Sequence, residues 1–194
     1  MPATPLTICG YLWIAWYAVW IAWAFQSKKT QQRESIASRL SYTFPLMVAV
    51  WLLFFAHRLG PWWHHTVFPA TTLIGWFAVA LTALGFALTL WARYILGGNW
   101  SGNVTIKVAH ELIRTGPYRF VRHPIYTGIT LASIGTAIAL DQWRGVVAVV
   151  LLWLSFTIKR LKEEEFMRQT FGDQYTDYAR TTGAIFPMPL RRNP

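Results

Sequence analysis

Charge is scarce in this chain, and acid is scarcer than base. Asp and Glu together number eight against eighteen Lys and Arg, so charged residues fill only 13% of 194 positions. That is about half the share found in a soluble domain. There is one cysteine, Cys9, which excludes a disulfide framework. Its place in an apolar block, far in sequence from the polar segments, argues against a thiol nucleophile. No Walker loop occurs and no His-Glu-x-x-His zinc pair. Gly97, Gly98 and Gly102 lack the strand-turn-helix setting of a dinucleotide fingerprint. Disorder is excluded too, because 54% of the residues are hydrophobic,. What is abundant is apolar length and tryptophan, of which there are twelve. A net charge of +10 would suit nucleic acid in a soluble protein. Here the basic residues flank apolar blocks, so membrane lipids with anionic head groups are the expected partner and nucleic acid is not.

The apolar blocks read as membrane segments. The first, about Leu6 to Phe25, carries no charge and is long enough to cross a ~30 Å hydrocarbon core. Without a basic stretch before it or a small-residue cleavage site after it, it is expected to be a retained helix. Trp13, Trp16, Trp20 and Trp23 recur at helical steps and share one face. They form either a packing or lipid-facing stripe, or part of a lipid-substrate wall. A polar linker follows from about Gln26 to Ser41, with Lys28, Lys29, Arg33 and Arg39. A second block spans about Phe44 to Gly60, ending beside Arg58. Trp62 and Trp63 look like interface anchors. His64 and His65 are adjacent, but nothing near them completes a ligand set, so no metal is expected. The third block runs from about Ala70 to Leu96, with Arg93 near its end. A polar glycine-rich loop from Gly97 to Asn103 follows it.

The last two apolar stretches are short, about Ile125 to Leu140 and Gly145 to Ile158. They suggest a tight or partly re-entrant hairpin. Gly128, Ala132, Gly135 and Ala139 place small residues on one side of its first arm, which permits close helix contact. The segment from Lys159 to Tyr178 is polar and reads as a helix continuing into the cytosol. Basic residues concentrate in the first linker, in the loop before the hairpin and in the C-terminal tail. The positive-inside rule then puts the N-terminus outside and these three segments in the cytosol. On that topology the sequons at Asn99 and Asn103 are inert.

Polar residues concentrate in two places beside the hairpin: Lys107 to Tyr126, and Lys159 to Glu165. Charges next to hydrocarbon are costly and are usually functional, and an antiparallel hairpin brings both segments to one mouth. The first segment offers cations, imidazoles, phenols, a carboxylate, and Gly and Pro that can aim backbone groups inward. In the second, Arg160 and Glu164 are four apart and share a helix face. A zwitterionic ligand with a planar ring suits this mixture, with its amine on Glu164. A lipophilic second substrate could enter from the bilayer. The same residues could equally make an interfacial salt-bridge network, with Arg160 simply paired to Glu164.

The string His110-x-Leu112-x-x-x-Gly116-Pro117-Tyr118-x-x-x-Arg122-His123-Pro124-x-Tyr126-x-Gly128 resembles the isoprenylcysteine carboxyl methyltransferase family. So does Glu163-Glu164-x-x-Met167-x-x-x-Phe171-Gly172-x-x-Tyr175-x-x-Tyr178 near the C-terminus. The resemblance covers about Lys107 to Pro187. It implies S-adenosylmethionine as methyl donor, with S-adenosylhomocysteine as product. It also implies a cofactor site lined by His110, Leu112, Tyr118, His123, Pro124, Tyr126 and Glu164, with backbone at Glu111, Ile113 and Ile125. Arg160 would hold an acceptor carboxylate, with Arg122 a second candidate or an organiser of the loop. A carboxylate is already ionised at neutral pH, so such a site mainly supplies proximity and orientation. An amine acceptor would first have to lose a proton, and Glu163 or a histidine would then matter as base.

The expected fold is all-α: an integral membrane helical bundle with five membrane-embedded helical segments, the last two forming a short hairpin. Residues 1–96 would supply three spans, and residues 97–194 the catalytic module. The expected activity is methyl esterification of a lipophilic, isoprenylcysteine-like carboxylate at the cytosolic face. Phospholipid or amine N-methylation is the rival chemistry. A non-catalytic lipid-binding module of the same fold is another rival. A nicotinamide-dependent reductase is disfavoured by the short chain.

Overall fold

The computed structural model describes residues 3–25, 30–67, 69, 71–100, 102, 105–107 and 111–188. Within them the order is α1 (Ala3–Ala24), β1 (Thr30–Arg33), α2 (Ile36–Phe54), α3 (Thr72–Leu96), β2 (Thr105–Lys107), α4 (Pro124–Leu140), α5 (Trp143–Phe171) and α6 (Asp173–Thr181), with short 3-10 turns at Pro61–His64, Gly97–Asn99 and Gly116–Arg119. Among the described residues, Thr4–Ala24, Ile36–Phe54 and Thr72–Asn99 are long and apolar enough to cross a membrane. The protein is an integral membrane protein.

Local chemistry sets the helix limits. Ser35 and Thr71 cap α2 and α3 by accepting from the backbone N–H of Ser38 and of Ile74, which satisfies amides that the first helical turn leaves free. Pro124 opens α4, where a missing N–H costs nothing,. Asp141 closes α4 in the left-handed region at φ 53°. Gly172, also at φ 53°, ends α5 and turns the chain into α6, a conformation glycine adopts without a Cβ penalty.

Helix α3 packs on α4, α2 packs on α5, and α1 lies on α3 and α4. The α3–α4 approach is close because glycines face it. A Cβ at Gly85 would lie 2.5 Å from the backbone of Ala132 and Gly128. One at Gly135 would lie 2.5 Å from Thr82 Oγ1. The small residues of α4 therefore serve its contact with α3. Buried hydroxyls fix α1 against this pair. Trp13 Nε1 donates to Thr136 Oγ1 at 2.9 Å, and Trp16 Nε1 to Thr89 Oγ1 at 2.7 Å. Arg93 is buried, donating to Gly97 O and Trp23 O at 2.6 and 2.7 Å and lying over the Trp100 ring.

Helices α4 and α5 are joined by Asp141 and Gln142 alone. They touch at the joined end, where Gly145 meets Ala137, and at the far end, where His123 meets Glu164. Arg144 ties the turn to α2 by donating to Gln142 Oε1 and to Leu52 O.

The described residues are all-α in class, as expected, with one small addition: β1 and β2 pair antiparallel, with Thr30 opposite Lys107 and Arg33 opposite Thr105. The first linker thus spends part of its length as a strand against the loop before the polar motif, and α2 begins at Ile36 rather than near Phe44. As expected, the apolar arm after Trp143 and the polar segment from Lys159 form one continuous helix, α5, of 29 residues, but it ends at Phe171 and α6 follows after Gly172. A change in composition does not interrupt a helix when no Pro, Gly or cap falls at the change.

Candidate active site

A cavity of about 1000 Å³ opens between α1, α2, α4 and α5. Its polar end is formed by the loop from Glu111 to His123, the start of α4, the polar turns of α5 and the tyrosines of α6. An apolar arm then runs along Trp20, Trp16 and Trp13 of α1 and Leu46, Val50 and Phe54 of α2. Trp13 and Trp16 pack inward through their indole nitrogens, as the packing reading of the tryptophan stripe expects, and the same rings line the cavity.

The three consecutive carboxylates of α5 point in three directions, as a helix requires of neighbours about 100° apart. Glu163 faces the cavity. Its two oxygens accept from the Tyr126 hydroxyl at 2.7 and 2.8 Å. Glu164 points behind the cavity wall, nearly sequestered from solvent. Glu165 is exposed and accepts from Gln169 Nε2.

Glu164 is the centre of the wall. Arg122 donates to it from Nη2 at 2.9 Å, His123 Nε2 is 3.1 Å away, Arg168 3.3 Å and Arg160 3.7 Å. Burial by itself would raise this carboxyl. The His123 hydrogen bond and the charges of His123 and Arg122 outweigh burial and hold it down at about 2. Arg122 also donates to the carbonyls of Ala179 and Thr182, and the N–H groups of Arg122 and His123 donate to Gly183 O and Ala184 O at 2.8 and 2.9 Å. Glu164 thereby joins α5, the His123 loop and the segment after α6.

Aromatic rings build the rest of the polar end. His123, Tyr126 and Phe156 form a stack, with centroids 5.4 and 4.6 Å apart and planes within 14°. Tyr178 donates to Tyr118 O at 2.6 Å. Burial pushes the Tyr178 phenol up to about 12 and those of Tyr118 and Tyr175 higher still, so these groups stay neutral hydrogen-bonding walls. Lys159 reaches the cavity with Nζ 2.7 Å from Gly102 O and 4.0 Å from Glu163 Oε1, over the rings of Tyr126 and Tyr42.

Most of the residues expected from sequence meet here. Glu111, Leu112, Ile113, Tyr118, Arg122, His123, Pro124, Ile125 and Tyr126 all line the cavity. His110 lies outside the described residues. Glu164 and Arg160 are not on the lining. Glu164 is the anchor of residues that are. Arg160 pairs with Glu164, and its place on the cavity is taken by Lys159. Sequence reasoning passed over Lys159 because it favoured the Arg160–Glu164 spacing. The same four-residue spacing links Lys159 to Glu163, one residue earlier. Phe156, Tyr175 and Tyr178 also line the cavity, whereas Trp153 is exposed.

The arrangement offers a carboxylate and an ammonium at one end of the cavity, flat rings beside them and an apolar channel beyond. Glu163 can receive an amine and Lys159 a carboxylate, and the tyrosines offer faces to a heterocycle. The donor set fits S-adenosylmethionine. Among the described residues no group of three or more His, Cys, Asp or Glu could hold a metal ion.

Residues 73–174 match the family model for phospholipid methyltransferase. A probable protein-S-isoprenylcysteine O-methyltransferase of Oryza sativa subsp. indica is 39% identical over 80 residues, covering 41% of this chain and 42% of the relative. Protein-S-isoprenylcysteine O-methyltransferase B of Arabidopsis thaliana is 29% identical over 140 residues, 71% of this chain and 66% of the relative. The chain thus spans less than half of the rice relative and about two thirds of the other. A solved structure of a eukaryotic intramembrane Ras methyltransferase, isoprenylcysteine carboxyl methyltransferase, superposes with a TM-score of 0.56 at 24% identity, over 78% of this chain and 51% of that one. That likeness is one of fold.

Proposed function

We propose, for a chain that belongs to the phospholipid methyltransferase family and is similar to protein-S-isoprenylcysteine O-methyltransferases, that it methyl-esterifies the carboxylate of a lipophilic acceptor. The donor in this reading is S-adenosylmethionine, held at the polar end by Glu111, Leu112, Ile113, Tyr118, His123, Pro124, Ile125 and Tyr126. The observation that carries the reading is one cavity whose polar end pairs Lys159 with Glu163 and whose other end is an apolar arm. The amine of a donor at Glu163 and the carboxylate of a lipid acceptor at Lys159 can meet in such a space.

Bound there, the donor supplies an electrophilic methyl group on a sulfonium. The acceptor carboxylate is ionised at neutral pH, so the residues need not take a proton from it. Their work is to hold it in line and free of water. Lys159 has one hydrogen bond to a backbone carbonyl and can exchange it for the acceptor. A single ammonium orients a carboxylate without the two-pronged grip of a guanidinium, leaving an oxygen free to attack. Glu164 acts behind the wall by fixing Arg122 and His123.

The helices of 1–96 form the apolar wall in this reading, and residues 97–194 the catalytic module. Helix α4 and the apolar part of α5 complete five membrane-embedded segments, the last two a hairpin. The N-terminus faces outward, and the polar end and C-terminus face the cytosol.

The test is calorimetric binding of S-adenosylhomocysteine to the purified protein, with NADPH for comparison, followed by analysis of the methylated product. The expected result is binding of the former alone and a base-labile methyl ester on an S-prenylcysteine. A base-stable methyl group would assign an amine acceptor instead, and binding of NADPH alone would overturn the reading.

A further inference from the structure

The ammonium of Lys159 sits over two tyrosine rings. Its Nζ lies 5.4 Å from the ring centroid of Tyr126 on α4 and 5.5 Å from that of Tyr42 on α2. Each ring gives its hydroxyl to a carboxylate, Tyr126 to Glu163 and Tyr42 to Glu34. Two tyrosine–carboxylate pairs from different helices thus face one cation. Glu163 stops 4.0 Å from Nζ, too far for a hydrogen bond. Among the described residues Nζ donates to Gly102 O, which leaves the ammonium able to turn its other N–H groups to a ligand.

Tyr42 is buried and lies off the cavity lining. Its place is fixed at both ends. Ser155, one turn before Lys159 on α5, donates from Oγ to Tyr42 O at 2.7 Å. That bond ties the backbone of α2 to the part of α5 that carries Lys159. At the other end Glu34 accepts from the Tyr42 hydroxyl and, through its second oxygen, from Ser38 Oγ at 2.7 Å. Lys162 braces the start of α2 by donating to Ser38 O and Ser41 Oγ at 2.8 and 2.9 Å.

Charge follows the same geometry. A phenol that donates to a carboxylate is polarised, and its ring face attracts a cation more strongly. Burial drives Lys159 towards the neutral amine, and the charges of Glu163 and Glu34 oppose that. Arg39 works against them, and Lys162 also lies over the Tyr42 ring. A neutral amine would not attract a carboxylate, so a site of this kind needs the charge kept.

We infer that Tyr42 and Glu34 are positioning residues: Tyr42 holds the Lys159 side chain beside Tyr126, and Glu34 holds the Tyr42 ring, so that Lys159 meets the acceptor charged and in one place. The part played by the acceptor rests on the methyltransferase reading, and the hold on Lys159 does not. Neither residue touches a reacting atom. The first linker and α2 then serve the chemistry as well as the apolar wall.

The experiment uses the full chain in lipid nanodiscs and two readouts. One is the pH dependence of Lys159 acylation by trace acetic anhydride, followed by peptide mass spectrometry, which needs no turnover. The other is KM and kcat for an S-prenylcysteine acceptor, beside the affinity for S-adenosylhomocysteine. Tyr42→Leu removes the ring, Tyr42→Phe keeps it without the hydroxyl, and Glu34→Gln keeps the shape without the charge. In Tyr42→Leu and Glu34→Gln the ammonium should lose its proton more easily. Acylation should then begin about one pH unit lower, and the acceptor KM should rise about tenfold, with S-adenosylhomocysteine affinity within twofold. Tyr42→Phe should recover most of what Tyr42→Leu loses. If Tyr42→Leu fails to fold, Glu34→Gln carries the test.

An unchanged acylation profile and KM in the folded variants would overturn the inference. So would a Tyr42→Leu defect that Tyr42→Phe does not lessen, or one that falls equally on S-adenosylhomocysteine affinity, since either marks Tyr42 as a packing residue. A shifted acylation profile in a protein that methylates no acceptor would leave the hold on Lys159 standing and remove only the methyltransferase reading.

Discussion

His123 Nε2 lies 3.1 Å from Glu164 Oε1, and its Nδ1 lies 3.6 Å from Glu163 Oε2. One imidazole is thus held between consecutive carboxylates of α5, one inside the cavity and one behind its wall. An ionised carboxylate only accepts, so Nε2 carries the hydrogen towards Glu164. Position of the His123 ring, and of Tyr126 stacked on it, is tied to a residue off the cavity lining.

Replacement of Glu164 should therefore act on the cofactor at a distance. Glu164→Gln keeps the shape but removes the charge that gathers Arg122 and His123, and S-adenosylhomocysteine affinity should fall at least tenfold by calorimetry. Glu164→Ala should also cost stability, about 3 kcal/mol, because Arg122 is left buried without its partner. Glu165→Ala, on the exposed side of the same turn, should change neither. Equal affinities for all three variants would remove Glu164 from the site.

The same carboxyl gives an acid limit. Its folded value, about 2, lies below the ordinary 4.5, so the folded state favours the ionised form. That contribution is complete above about pH 4.5 and is lost as pH falls through about 2, where the folded carboxyl takes up a proton. Between those values the unaltered protein should lose stability faster than Glu164→Gln, as read by thermal unfolding at a series of pH values. Parallel pH profiles would show that another group governs acid unfolding.

Lys159 and Arg160 are neighbours on different faces of α5: Lys159 lines the cavity and Arg160 pairs with Glu164. Lys159→Met should leave S-adenosylhomocysteine affinity within a few-fold and raise the KM for a carboxylate acceptor by at least tenfold. Arg160→Met removes a guanidinium 3.7 Å from Glu164, and its effect should appear in cofactor affinity instead. If Arg160→Met alone raises the acceptor KM, the acceptor cation is Arg160 and Lys159 is a wall residue.

The wall of the site was legible because its residues are contiguous. Glu111 to Tyr126 carry polar and aromatic side chains at a density that apolar helices elsewhere lack, and the chain lays them along one edge of the cavity. Membrane segments were legible by length and hydropathy. Which face of α5 meets the cavity was not legible. Lys159 with Glu163, and Arg160 with Glu164, have the same spacing, and only the packing of α5 on α4 chooses between them. The strand pairing of β1 with β2 was hidden for a similar reason: four polar residues in a linker have no periodicity until a distant partner supplies the hydrogen bonds. The partner of the small residues on α4 was ambiguous as well, since spacing announces a close neighbour without naming α3.

That neighbour gives the last prediction. A Cβ added at Gly135 would lie 2.5 Å from Thr82 Oγ1, 2.6 Å from Ala78 O and 2.7 Å from Thr82 N. Two of these atoms are backbone and cannot rotate away, so Gly135→Ala must push α3 off α4. Overpacking of this kind costs about 2 kcal/mol, more than alanine's better helix propensity returns. The damage should spread to the cavity, because Thr136, the next residue, holds Trp13 in place. Gly60→Ala is the matched control: nothing lies within 4 Å of its added Cβ, and its φ of −58° suits alanine. Thermal unfolding in detergent should show a lower midpoint for Gly135→Ala alone. Equal midpoints for the two variants would mean that α3 and α4 can separate by the width of a methyl group without loss, and that their close contact is not what holds the bundle together.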